Sequence, residues 1–147
     1  MSHPLRFFSS REAETVRILV DMIVPRDERS GGAIDADVPE YLDLRMVESP
    51  SQARERMRLG LAWIEAESRN RFGLAFASCP EAMRHDLIAS IAWPVAVEDP
   101  RRTVVAFFAW FRHMTAVGFW TSEIGHADLG FHGGEHGDPR ALPVIAT

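Results

Sequence analysis

The stretch from Val104 to Phe131, VVAFFAWFRHMTAVGFWTSEIGHADLGF, limits the possible folds more than any other part of the chain. Phe107, Phe108, Trp110, Phe111, Phe119, Trp120 and Phe131 all lie in it and make up half of the chain's Phe, Trp and Tyr. Its first half is the most apolar segment of the sequence. A helix this apolar needs other helices around it, because no broad face is left for water. Its second half is rich in Gly and His and has neither a helical nor a strand period. Such a segment has little regular structure in which to pair its own backbone amides and carbonyls. The first half therefore predicts the central helix of a small bundle, ending at about Gly118. The second half predicts an irregular segment that docks on a partner.

A chain of 147 residues predicts a single domain over 1–147, with a helical core over about 8–118 and a tail over 119–147. That length buries roughly 70% of the unfolded surface, enough for one core. Hydrophobic residues at 46% and charged residues at 25% are ordinary globular values. The net charge of −5 argues against nucleic acid as a partner, since that partner selects a basic face. Every basic residue is Arg, a bias that genomic base composition explains as well as function does. The one cysteine, Cys79, allows no intramolecular disulfide and reads as structural. The opening MSHPLRFFSSREAE does not have the pattern of a signal peptide. Cytoplasmic residence is the expectation, with co-export alongside a partner as the alternative. The apolar run at 104–110 is far short of the roughly 20 residues that span a bilayer.

Start and stop signals divide the rest into helices. Ser9 with Glu12 is a capping box, Val16, Leu19, Val20 and Ile23 follow at helical spacing, and Pro25 ends the element. Asp21, Arg26, Asp27, Glu28 and Arg29 read as a solvated helix end. A Gly-containing loop follows that has no phosphate-binding spacing. Asp37 as cap and Pro39 open a second helix, with Val38, Leu42 and Met46 inward and Tyr41 at the core edge. Ser49 as cap and Pro50 at the first position open a third, to about Asn70. Its stripe is Ala53, Met57, Leu61 and Ile64. Trp63 lies off that stripe, and Gly73 is placed for a left-handed C-cap. Ser78-Cys79-Pro80-Glu81 begins a fourth, with Met83, Leu87, Ile88 and Ile91 inward and His85 outward. Asp99 as cap and Pro100 at the first position begin the fifth. No strand pair is visible, so the fold class is all-α: a bundle of about five helices with a non-helical C-terminal tail.

The tail offers His126, Asp128, His132, Glu135, His136 and Asp138, which with His113 are residue types that bind zinc or iron. His132 and His136 have the spacing of ligands on one helix face, but Gly133, Gly134 and Gly137 disfavour a helix there. Ser122, His126 and Asp128 make a triad only on paper, since Ser122 is not in a GxSxG elbow. No catalytic, cofactor or metal residue is assigned. A stand-alone metal-binding or hydrolytic protein using this tail remains the alternative, and a self-associating helical scaffold is a second.

The residues also carry a resemblance. Phe107-Phe108, Phe111-Arg112, Thr115, Gly118 through Gly125 (GFWTSEIG) and Asp128-Leu129-Gly130-Phe131 resemble the C-terminal signature of the gluconate 2-dehydrogenase subunit 3 family. Earlier parts follow the same order: Phe7-Phe8, Val24-Pro25-Arg26-Asp27, Gly32-Ala33, Tyr41-Leu42-Asp43, Gly60-Leu61 and Arg71-Phe72-Gly73. The resemblance covers nearly the whole chain. It departs in the tail, where His132 to His136 stands in place of a Gly-Asn turn and further aromatics, and in its opening residues, which read as the helical domain that a twin-arginine signal precedes in many members.

The resemblance implies a non-catalytic small subunit of an FAD-dependent sugar or polyol dehydrogenase. Such a subunit aids folding, maturation or export of the large subunit, as a chaperone or a lasting partner. It implies no cofactor in this chain and FAD in the large GMC-type flavoprotein, and it leaves open whether a cytochrome subunit joins. The expected partner interface is Phe119, Trp120, Ser122, Glu123, Ile124, Gly125, Leu129, Gly130 and Phe131. Within it Phe119, Trp120, Ile124 and Phe131 are the anchors, and Gly118, Gly125 and Gly130 shape the segment.

Overall fold

The first helix begins where the capping box places it. The Ser9 hydroxyl accepts the Glu12 amide at 3.2 Å, and the Glu12 carboxylate accepts the Ser9 amide at 2.9 Å. Two of the amides that every helix start leaves unpaired are thereby satisfied, and α1 (Ser10–Ile23) follows. The computed structural model describes residues 5–27 and 31–125. Among them are four more α-helices, α2 (Val38–Val47), α3 (Ser51–Phe72), α4 (Glu81–Ala89) and α5 (Arg102–Trp120). A 3-10 turn at Phe76–Ser78 links α3 to α4. No strand occurs among the described residues, so the fold is all-α. The described residues divide into two compact units, those within 1–48 and 111–147, and those of 49–110.

In the first unit α1 packs on α2. Val16, Leu19 and Val20 of α1 and Val38, Leu42 and Met46 of α2 are buried, as their spacing predicts, whereas Ile23 is half-exposed. Full burial of such a side chain contributes about 1.5–3 kcal/mol. The approach to α1 is tied to α2 by one side chain. The Asp43 carboxylate accepts the amides of Arg6 at 2.8 Å, Phe7 at 2.9 Å and Phe8 at 2.9 Å. Asp43 is 5% exposed, so these three donors stand in for the water it has lost. The Phe7 and Phe8 rings are buried and meet edge to face. Asp37 holds the cap position of α2 in the left-handed region (φ 58°), and its side chain makes no cap hydrogen bond. The expected Asp cap is thus positional only.

In the second unit α3 packs on α4 and on the 3-10 turn. Met57, Leu61 and Ile64 are buried as the stripe predicts, and Ala53 is half-exposed. One helix start differs from expectation: Pro50 is itself the N-cap of α3, in extended conformation, whereas α4 starts within the expected Ser78–Glu81 stretch, with Pro80 as its N-cap. Each proline carbonyl accepts two amides of the first turn, Ala53 and Arg54 for Pro50, Met83 and Arg84 for Pro80. Ser49 therefore lies one residue too early to cap α3, and the Arg54 guanidinium donates to its carbonyl. Gly73 closes α3 in the left-handed region (φ 71°), where a side chain is strained.

Cys79 is buried. Its sulfur lies 3.1 Å from the Ser68 hydroxyl, which donates to the Leu74 carbonyl at 2.8 Å, a structural role for the thiol. Before α5, the Asp99 carboxylate accepts the Arg101 amide at 2.8 Å, and the helix starts at Arg102, later than the Pro100 expected.

Candidate functional site

The expected docking segment begins inside α5, which runs two residues beyond the predicted end at Gly118. Gly118 does not stop the helix; it makes room. A Cβ there would meet the Tyr41 ring at 2.6 Å, so the ring of α2 lies directly against the glycine. The helix is closed farther on by hydroxyls. Thr121 Oγ1 donates to the Val117 carbonyl at 2.8 Å. Ser122 Oγ donates to the Phe119 carbonyl at 2.6 Å and accepts the Gly125 amide at 3.0 Å. These are the carbonyls that a helix end leaves unpaired. A Cβ on Gly125 would overlap the Phe119 carbonyl, and residues 123–125 form a further helical turn. The passage GFWTSEIG is thus a helix end that the Thr121 and Ser122 hydroxyls and Gly125 fold back on its own carbonyls.

The predicted interface residues separate into groups. Phe119 is 3% exposed and Gly125 is buried, so their environment is their own chain. Trp120 and Ile124 are half-exposed and Glu123 is exposed, leaving two apolar side chains and a carboxylate toward solvent. The Trp120 ring stands edge to face against Phe119, centroids 5.2 Å apart, which fixes its orientation. Ser122 is half-buried with its hydroxyl committed to backbone. Leu129, Gly130 and Phe131 lie outside the described residues, as do His126, Asp128, His132, Glu135, His136 and Asp138. His113 is exposed on α5, and burial pushes the neighbouring Arg112 guanidinium below its ordinary value. Among the described residues no three His, Cys, Asp or Glu side chains form a metal-ligating group.

Residues 10–133 match the family model described as Gluconate 2-dehydrogenase subunit 3. The chain belongs to that family. None of the curated proteins or solved structures compared with it matches. The subunit 3 family is that of a small accessory subunit of a dehydrogenase. Its match takes in all five helices whole, from the first residue of α1, together with the fold-back after α5.

The second unit of this subunit 3 chain holds a feature that sequence reasoning missed, a cleft of about 560 Å³ between α3 and the start of α5. Arg56, Leu59, Gly60 and Trp63 form one wall. Val104 and Phe107 form the other, with Arg102 at the rim. Its floor is a close helix contact, because the Phe107 ring rests on Gly60 where any Cβ would overlap it. Trp63 and Leu59 are not on the buried stripe of α3: Leu59 is 63% exposed and Trp63 half-exposed. The Arg56 guanidinium lies 4.7 Å from the centre of the Trp110 ring, a cation–π contact that holds it at the cleft. The signal in the sequence was Trp63 off the stripe, beside a mid-helix glycine.

Proposed function

We propose that this subunit 3 chain is a non-catalytic accessory subunit that binds the large FAD-dependent subunit of a sugar or polyol dehydrogenase and aids its folding, maturation or stability. The observation that carries this reading is the family match over residues 10–133. The shape of the passage that follows Gly118 supports it. Glycines and hydroxyls hold Trp120 and Ile124 at the end of α5 and leave them partly open to solvent. Trp is among the side chains that most often anchor interfaces, because it buries a large area at little cost in freedom. FAD and the sugar are assigned to the large subunit, and this chain supplies surface.

The test is co-expression with that flavoprotein and capture through a tag on this chain. Recovery of a stoichiometric complex whose flavin absorbance stays with the large subunit is the expected result. Two proteins that separate completely, under conditions where both are folded, would contradict it.

A further inference from the structure

We infer that the cleft between α3 and the start of α5 is a second contact for the large subunit, one that takes an apolar side chain flanked by a carboxylate. This rests on the accessory-subunit reading and adds to it the place and chemistry of a contact in residues 49–110.

Three observations point to that occupant. First, the walls are apolar and open: Leu59 and Trp63 face solvent in part, beside the buried Val104 and Phe107. A cleft of about 560 Å³ is in the range that receives compact apolar groups. Second, its rim is positive in a chain whose net charge is −5. Arg56 and Arg102 are both exposed, and among the described residues neither has a carboxylate within ion-pair distance. The partners of Arg56 are the Trp110 ring and, at 3.5 Å, the Ala106 carbonyl, and neither neutralises a guanidinium. Three other guanidiniums of this unit, Arg69, Arg71 and Arg101, are paired with carboxylates, while Arg54 and Arg84, which do not line the cleft, donate to backbone carbonyls. An apolar cleft between two uncompensated cations is complementary to an acidic, apolar segment of protein. Third, Arg56 is already held on Trp110, so placing it costs little when a partner arrives. Trp and Arg around an apolar pocket are also the composition of an interface hot spot.

The experiment uses the full chain co-expressed with the flavoprotein. A photoreactive benzophenone amino acid replaces Leu59 in one variant and Val97, also exposed and outside the cleft, in a control. Leu59 is 63% exposed, so its replacement leaves the buried stripe untouched. Irradiation is expected to join position 59, and not position 97, to a segment of the flavoprotein carrying Asp or Glu beside a large apolar residue. Arg56→Glu with Arg102→Glu is expected to weaken the complex roughly 10-fold or more and to flatten its dependence on salt, with helicity kept. A complex of unchanged affinity with no cross-link from position 59 would overturn the cleft assignment and leave the accessory reading standing. A cross-link joining two copies of this chain would overturn it as well, by giving the cleft a different occupant. If the parent chain forms no complex at all, the accessory reading falls and this contact with it.

Discussion

The Asp43 carboxylate accepts the amide of Phe7 at 2.9 Å and, on the same oxygen, that of Phe8, holding the start of the chain to α2. Both partners are buried, so the arrangement fails badly if one side is removed. Asp43→Ala leaves the amides of Arg6, Phe7 and Phe8 without their acceptor. It is expected to cost about 3 kcal/mol, the scale for losing hydrogen bonds to a charged group. Asp43→Asn keeps one acceptor oxygen and is expected to cost less. Urea unfolding of the three proteins orders them parent, Asn, Ala. An Ala variant as stable as the parent would show that the three bonds contribute nothing.

Gly60 and Phe107 give a second test. Gly60→Ala drives a methyl group into the Phe107 ring and is expected to destabilise by about 1–3 kcal/mol, the cost of overpacking. Phe107→Leu in the same chain gives the methyl room. The double variant is then expected to be more stable than the sum of the single losses, a coupling that neighbours show and distant sites do not. Simple additivity would mean that the two residues are not in contact.

Asp99 predicts a dependence on acid. The Arg101 guanidinium and then the Arg101 amide hold the Asp99 carboxyl down at about 2, from an ordinary 3.8. A carboxyl lowered on folding contributes stability that is complete above 3.8 and is lost as pH falls through about 2. Asp99→Asn is therefore expected to unfold at a lower temperature than the parent near neutrality, with the two midpoints converging between pH 3.8 and about 2. A constant difference through that window would exclude Asp99 as its source.

Much of this was legible because local chemistry decides it. The Ser9–Glu12 capping box, the buried stripes of α1 and α3 and the left-handed Gly73 are read from neighbours a few residues apart. The rest depends on contacts distant in sequence. Nothing around Asp43 announces that three amides some 35 residues earlier will reach it, and an isolated Asp on a helix reads as solvated. Gly118 looked like a stop because Gly commonly ends helices; the Tyr41 ring that requires it comes from another helix. One miss was local: Pro50 took the cap expected of Ser49, since a proline carbonyl closes a first turn as well as any other.

Trp120 tests the docking segment. Trp120→Ala is expected to weaken capture of the flavoprotein at least roughly 10-fold, the scale of a hot-spot truncation, while circular dichroism shows α5 intact. Phe119→Ala, at a side chain only 3% exposed, is expected to lower the stability of the isolated chain instead. Equal capture by Trp120→Ala and the parent would remove this residue from the interface.

The most direct measurement is the dehydrogenase activity and flavin content of the large subunit made with and without this chain, at matched expression. The accessory-subunit account predicts soluble, flavin-loaded, active enzyme only when the two are made together. A large subunit that is equally soluble, equally loaded and equally active when made alone would contradict it.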